Sequence, residues 1–278
     1  MSKTAERNAL ARWENEGGRL LIFRDCPVVK ATGREEKIMS VERNMNGPTG
    51  NRILRNLPSG EFRQLSERSE QVALNYGDTI FEPGDVIRDV YFPESGIISL
   101  LAAFEDKATL EVGVIGTEGI LGLSVFLGAE NSVNRAIVQG AGVAMKIRAA
   151  DLLVACRDGV ELTRLLKRFA HSLFAQISLS AACYRFHPIG SRLSRWLLMT
   201  SDRMESNEFP ITQEFLSGML GVRREAVNRA SVDLQNRKLV IYNRGELVIL
   251  DRPGLSRIAC RCYEIIRAEE QNGRPRSS

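Results

Sequence analysis

Arg224, Glu225, Asn228 and Arg229 are the residues whose types and spacing could do chemistry. Three- and four-residue steps are neighbours on a helix, so these four share one side, while Val227, Ala230 and Leu234 share another. The apolar side would pack and the polar side would face outward. Arginine presents a planar fork that bonds bidentately to the guanine acceptors of the major groove, and glutamate accepts from the cytosine amino group. Taken singly, such residues read as a solvated charged face. Taken with the elements on either side, they read as a surface for DNA.

Those elements are specific. In Pro210-Ile211-Thr212-Gln213-Glu214-Phe215-Leu216, Thr212 can cap the first amides of a helix and Glu214 puts negative charge in its first turn. Ile211 and Leu216 have the spacing of a hydrophobic staple. Gly221 allows a tight turn, and a second helix starts near Val222. Next, Lys238–Tyr242 and Glu246–Leu250 read as strands flanking Asn243-Arg244-Gly245, a three-residue hairpin loop that would form a wing carrying Arg244.

The chain has 278 residues, 44% hydrophobic and 26% charged, a globular composition long enough for about two domains at roughly 100–200 residues each. A formal net charge of +4 suits a polyanionic partner, although many soluble proteins reach that value. No apolar run reaches the roughly 18 residues of a membrane span, and the charged N-terminus lacks a signal-type core, so no membrane is involved and a cytoplasmic protein is expected. Cys26, Cys156, Cys183, Cys260 and Cys262 are scattered and odd in number, which reads as reduced thiols and neither a disulfide framework nor a zinc site. There is no Ser-His-Asp set, no P-loop and no metal-ligand spacing, and the two histidines, His171 and His187, leave little acid-base chemistry. An enzyme is not expected, nor a catalytic residue or a metal.

Residues 1–52 read as a poorly ordered extension, with Met39 and Met45 as alternative starts beside Met1. Residues 53–157 carry short, closely spaced strand-like segments punctuated by glycine, including Val90-Tyr91-Phe92, Ile97–Leu101 and Ala144–Ile147, the pattern of an antiparallel β-roll. In residues 158–187, Leu162, Leu166, Phe169, Leu173, Gln176, Ser180 and Cys183 recur at alternating four- and three-residue steps, which predicts a long helix. Its stripe either pairs with a second helix as a dimer seam or packs on the chain's own roll. Pro188 breaks the pattern before a second amphipathic helix with Leu193, Trp196, Leu197 and Met199. Residues 188–268 would form the winged helix and 269–278 a disordered tail.

The stretch from Ile211-Thr212 through Arg223-Arg224-Glu225-Ala226-Val227-Asn228-Arg229 resembles the helix-turn-helix of the Crp/Fnr family, the cyclic-AMP-receptor and fumarate-nitrate regulators. The resemblance covers about residues 54–265. It implies an α+β chain with a cyclic-nucleotide-binding-like roll, a long dimerisation helix and a C-terminal winged helix-turn-helix. It further implies a homodimeric transcription regulator of double-stranded DNA that works with RNA polymerase. Arg224, Glu225 and Arg229 would then read bases, and Thr212 and Arg223 would touch the backbone.

The family's phosphate cassette is matched poorly. The counterparts here are Gly116, Glu118, Gly119 and Gly122, then Arg135. Glu118 precedes the glycine it should follow, and Asn134 occupies the usual arginine place, so Arg135 is one residue out and points to the other face of its strand. The roll is therefore expected to hold another ligand or none. Only Cys26 precedes Cys156, which gives no iron–sulfur ligand set, and neither histidine suits a haem. A redox role for Cys156 or Cys183 has no motif behind it. The alternative reading is a ligand-sensing roll whose C-terminal domain docks protein and not DNA.

Overall fold

The computed structural model describes residues 49–103, 109–243 and 245–271. The extension expected over residues 1–52 therefore falls almost wholly outside the described residues, as do Arg244, Cys26 and residues 272–278. The chain divides into two compact units. One holds residues 49–100 and 114–174, the other residues 101–113 together with residues 175–269.

The first unit holds most of the roll, while residues 101–103 and 109–113 of two of its strands fall in the second. Helices α1 (Arg52–Arg55) and α2 (Ser59–Ser66) precede strands β1 (Ser69–Leu74), β2 (Thr79–Phe81), β3 (Asp89–Pro93), β4 (Ile97–Ala103) and β5 (Thr109–Ile115). The short helix α3 (Leu123–Phe126), strands β6 (Arg135–Gly140) and β7 (Gly142–Arg148) and helix α4 (Ala149–Asp158) follow. The strands form two sheets, ordered β1-β7-β3 and β2-β6-β4-β5. Alternating side chains point inward, Val90 and Phe92 of β3 and Met145 and Ile147 of β7 being buried, and Ala144 is buried on the opposite face of β7. Antiparallel pairing runs from Ser69 opposite Ile147 to Leu74 opposite Gly142, and Asp89 lies opposite Arg148.

A single asparagine ties the start of the roll together. Asn51, fully buried, accepts from the amides of Ile53 and Leu54 through Oδ1, at 3.0 and 3.2 Å, and so caps α1. Its Nδ2 donates to the carbonyls of Pro93 and Gly119, each at 2.9 Å. One side chain thereby satisfies four backbone groups from three segments.

The long helix α5 runs from Val160 to Phe186. Glu61 of α2 caps it, accepting from the amides of Glu161 at 3.3 Å and Leu162 at 2.9 Å. The stripe expected to form a dimer seam faces inward instead. Leu162, Leu166, Phe169, Gln176 and Ser180 are buried within the single chain, and Leu173 is half-buried. Phe169 occupies the space beside Gly119, where an added Cβ would lie 2.2 Å from its ring. The seam assignment is corrected for the five buried residues, which the chain itself covers, whereas Leu173 is only partly covered. One row of apolar residues that α5 leaves exposed or half-exposed lies one position further on: Ala170, Phe174, Ile177 and Ala181, spaced four, three and four apart. Phe174 is 70% exposed.

The second unit continues through α6 (Ile189–Met204), β8 (Glu208–Pro210), α7 (Gln213–Leu220) and α8 (Arg224–Asn236). It ends with β9 (Val240–Asn243), β10 (Glu246–Ile249), α9 (Arg252–Ile258) and α10 (Cys262–Gln271). Pro188 separates α5 from α6 as its position predicts. The C-terminal helix continues to Gln271, so residues 269–271 belong to it and not to a tail. Tyr263 of α10 donates to Asp202 of α6 at 2.8 Å, and Arg252 joins the same carboxylate.

The β5 residues of this unit are anchored to its helices. Trp196 Nε1 donates to the Glu111 carboxylate at 2.9 Å, with both residues buried. The Tyr184 hydroxyl donates to the Glu111 carbonyl, and burial holds its pKa well above the usual phenol value. Arg192 stacks 4.6 Å over the Tyr184 ring and donates to the carbonyl of Leu220, the last residue of α7. Leu110 lies against Gly221.

Candidate nucleic-acid interface

The helix-turn-helix forms for the reasons its sequence predicts. Thr212 is the N-cap of α7, and its hydroxyl accepts from the Phe215 amide at 3.1 Å. Ile211 and Leu216 are both buried, as a staple requires. Gly221 takes φ 61°, and the amide of Val222 returns to the carbonyl of Ser217 at 3.1 Å, which closes the end of α7 and turns the chain. Helix α8 then starts at Arg224, with Arg223 as its N-cap residue.

On α8 the two faces separate cleanly. Val227, Ala230 and Leu234 are buried, whereas Arg223, Arg224, Glu225, Asn228 and Arg229 are exposed on the opposite side near the N-terminus. None of the three arginines is held in an ion pair among the described residues. Asn228 Oδ1 accepts from Gln213 Nε2 at 3.0 Å, which fixes the amide and ties the two helices together. Thr212 is half-buried at the start of α7. The structure therefore presents all five of the candidates on and beside α8 to solvent.

The wing is a three-stranded sheet ordered β8-β10-β9, one strand more than the sequence predicts. Asn243 pairs with Glu246, so the turn between β9 and β10 has two residues and not three. Tyr242 braces it, donating from its hydroxyl to the Ile211 carbonyl at 2.7 Å and from its amide to the Gln235 side-chain oxygen at 2.7 Å. Arg244 lies outside the described residues.

The cassette residues of the roll do other work. The Glu118 carboxylate turns back to accept from the Gly116 amide at 3.1 Å. Gly119 is filled from outside by Phe169, and at Gly122 a Cβ would lie 2.7 Å from Val90. Arg135 pairs with Glu82 at 2.8 Å. Each of the five therefore has a partner within the roll itself.

The cysteines are not as scattered as the sequence suggests. Cys156 stands apart, and burial pushes its thiol up to about 11, which keeps it protonated near neutrality and argues against a redox role. Cys183, Cys260 and Cys262 pack together beside His187, with their ligand atoms within 4.8 Å of one another. They are free thiols, as the sequence predicts, although their scatter along the chain does not extend to space. Sequence spacing hid the group, because Cys183 and Cys260 lie 77 residues apart.

Comparison with known proteins agrees with the geometry. Residues 191–258 match the model of the Crp-like helix-turn-helix domain, and residues 71–158 match that of the cyclic nucleotide-binding domain. The global nitrogen regulator of Nostoc sp. is 23% identical over 217 residues, covering 74% of this chain and 94% of its own. Among solved structures, a transcriptional regulator of the Crp/Fnr family from Eubacterium rectale superposes with a TM-score of 0.59 at 16% identity, over 75% of this chain and 98% of that one. FixK2 from Bradyrhizobium japonicum superposes with a TM-score of 0.60 at 14% identity, over 69% and 98%. At those identities the superpositions establish a shared fold. A nucleotide-binding-like roll followed by a winged helix defines a DNA-binding transcription regulator. The chain belongs to the Crp/Fnr family.

Proposed function

We propose that this regulator acts as a cytoplasmic homodimer without enzymatic activity, inserts α8 of each protomer into successive major grooves and works with RNA polymerase. The observation that carries the reading is the exposed N-terminal face of α8, where Arg224, Glu225 and Arg229 stand without internal ion pairs over a buried Val227-Ala230-Leu234 face. Arg224 and Arg229 read guanines, Glu225 reads a cytosine, and Asn228 is held in register by Gln213. Thr212 and Arg223 contact the backbone, because they stand at helix starts beside the groove. Bound sites selected from random DNA should yield an inverted repeat with half-sites roughly 34 Å apart. Arg224→Ala should cost about 1–3 kcal/mol at one base pair of each half-site and relax discrimination there. Arg223→Ala should weaken all sequences evenly and reduce the salt slope by about one unit. A uniform loss at Arg224 would make it a phosphate contact, and failure to select any common site would favour the protein-docking alternative.

The Ala170-Phe174-Ile177-Ala181 face of α5 supports the dimer reading, since it leaves an apolar row uncovered in the single chain. The roll is not built for a cyclic nucleotide. Such a ligand carries one phosphate charge, and burying it without cationic and amide partners costs several kcal/mol. Arg135 is engaged by Glu82, and the glycines of residues 116–122 accommodate Phe169 and Val90. Millimolar cyclic AMP or cyclic GMP should leave the melting temperature and operator affinity unchanged. A ligand at 100 times its Kd would add about 2.7 kcal/mol, so a clear rise that vanished in Arg135→Ala would overturn this reading.

A further inference from the structure

Four side chains from the two ends of the second unit point their ligand atoms at one spot. Cys183 lies on the last turn of α5 and His187 directly follows the helix, four residues on, where its amide still bonds the Cys183 carbonyl at 3.1 Å before Pro188. Cys260 and Cys262 bracket the start of α10, with the Tyr263 amide returning to the Cys260 carbonyl at 3.0 Å. Cys183 Sγ stands 3.4 Å from Cys260 Sγ, and Cys262 Sγ stands 3.7 Å from His187 Nδ1. All four atoms lie within 4.8 Å of one another.

A tetrahedral zinc ion with bonds of about 2.3 Å to sulfur and about 2.0 Å to nitrogen sets its ligands about 3.5–3.8 Å apart. The 3.7 Å between Cys262 and His187 meets that spacing, the 3.4 Å between Cys183 and Cys260 needs an opening of a few tenths of an ångström, and no separation needs a closure of more than about 1 Å, within reach of side-chain rotation. Three thiolates and one neutral imidazole are a donor set for a thiophilic divalent cation. A thiol cluster that served only as apolar filling would not need the imidazole nitrogen turned towards it.

The surroundings suit the charge of such a centre. Three thiolates around a divalent cation carry a formal charge of −1. Arg195, 3% exposed, acts electrostatically on all three cysteines. Its Nη1 donates to the neutral hydroxyl of Ser180 at 3.2 Å, while its Nε has no hydrogen-bond partner. A buried guanidinium is costly unless negative charge stands near it; the buried Glu111 carboxylate supplies some, and the metal–thiolate centre would supply more.

We propose that Cys183, His187, Cys260 and Cys262 form a tetrahedral Cys3His site for zinc, which fastens helix α10 to the end of α5 at the Pro188 break. Metal binding fixes the C-terminal segment of the winged helix to the helix that precedes it, so occupancy sets the stiffness of that joint. The site is independent of the DNA-reading face of α8.

The full chain in a Cys26→Ser, Cys156→Ser background retains these three thiols alone, and can be stripped with chelator under reducing conditions and titrated with cobalt(II). One equivalent should produce thiolate-to-cobalt charge transfer and the intense visible bands of a tetrahedral centre, and zinc should abolish both. Cys262→Ser or His187→Ala should weaken binding beyond the roughly 10–100-fold that loss of an outer-shell partner costs. Zinc should also raise the melting temperature of the background protein, a readout that does not depend on DNA. An octahedral cobalt spectrum, tetrahedral binding unchanged in Cys260→Ser with Cys262→Ser, or a Cys183–Cys260 disulfide persisting under those reducing conditions would each overturn the site.

Discussion

Phe174→Glu should convert the regulator to a folded monomer and reduce its operator affinity by roughly 10²–10⁴-fold. The ring is 70% exposed on α5, so the single chain loses almost no packing when it is replaced. In a dimer whose helices meet along Ala170, Phe174, Ile177 and Ala181, the same change removes two buried rings at about 1.5–3 kcal/mol each and sets two carboxylates in an apolar seam. The weaker operator binding follows from avidity, because each recognition helix must then find its half-site alone. Phe169→Glu is the contrasting change. That ring is buried against Gly119 in its own chain, so its replacement should unfold the roll. Light scattering that still reports a Phe174→Glu dimer would place the interface on another surface. A folded, monomeric Phe169→Glu protein would return the seam to the stripe it occupies.

The contrast shows what a sequence can and cannot say about a long helix. The four- and three-residue steps from Leu162 to Ser180 identify α5 correctly, because a helix must bury one face whatever covers it. They do not say which partner does so. The stripe one residue further on, through Phe174, is interrupted by Lys167 and sparse in large apolar groups, so its signal is weaker although it is the one left open. The helix-turn-helix was more legible, because its determinants are local: the Thr212 cap, the Ile211–Leu216 staple, the Gly221 turn and the polar face of α8 all fall within about twenty residues. Strand β8 escaped notice, since three residues are too few to show a period and Pro210 argues against a strand. The Cys183-His187-Cys260-Cys262 group and the Trp196–Glu111 bond escaped for a different reason. Each joins segments far apart in the chain, and nothing near Glu111 marks it as a buried carboxylate.

Trp196→Ala should destabilise the second unit by at least about 4 kcal/mol. Truncating a buried indole costs about 3–5 kcal/mol in cavity and transfer free energy, and loss of its bond to the buried Glu111 carboxylate adds to that. Against a total stability of about 5–15 kcal/mol this is a large share, and at about 2–4 °C per kcal/mol for a chain near this size it lowers the melting temperature by roughly 8–16 °C. Trp196→Phe separates the two contributions, since it keeps most of the ring and removes the indole N–H. It should cost about 1–3 kcal/mol, the effect of taking a donor from a buried charge. In a Glu111→Leu background the carboxylate that needs that donor is gone, so the further cost of Trp196→Phe should fall to the small packing difference, and the double-mutant cycle reports the remainder as coupling. Hydrogen exchange adds a spatial readout: the amides of residues 109–113 should exchange faster in Trp196→Phe, because that indole is one of the bonds fastening β5 to α6. A Trp196→Phe cost within about 0.5 kcal/mol of zero, the size of an ordinary surface change, with unaltered exchange at residues 109–113, would show that the bond is not what holds the strand.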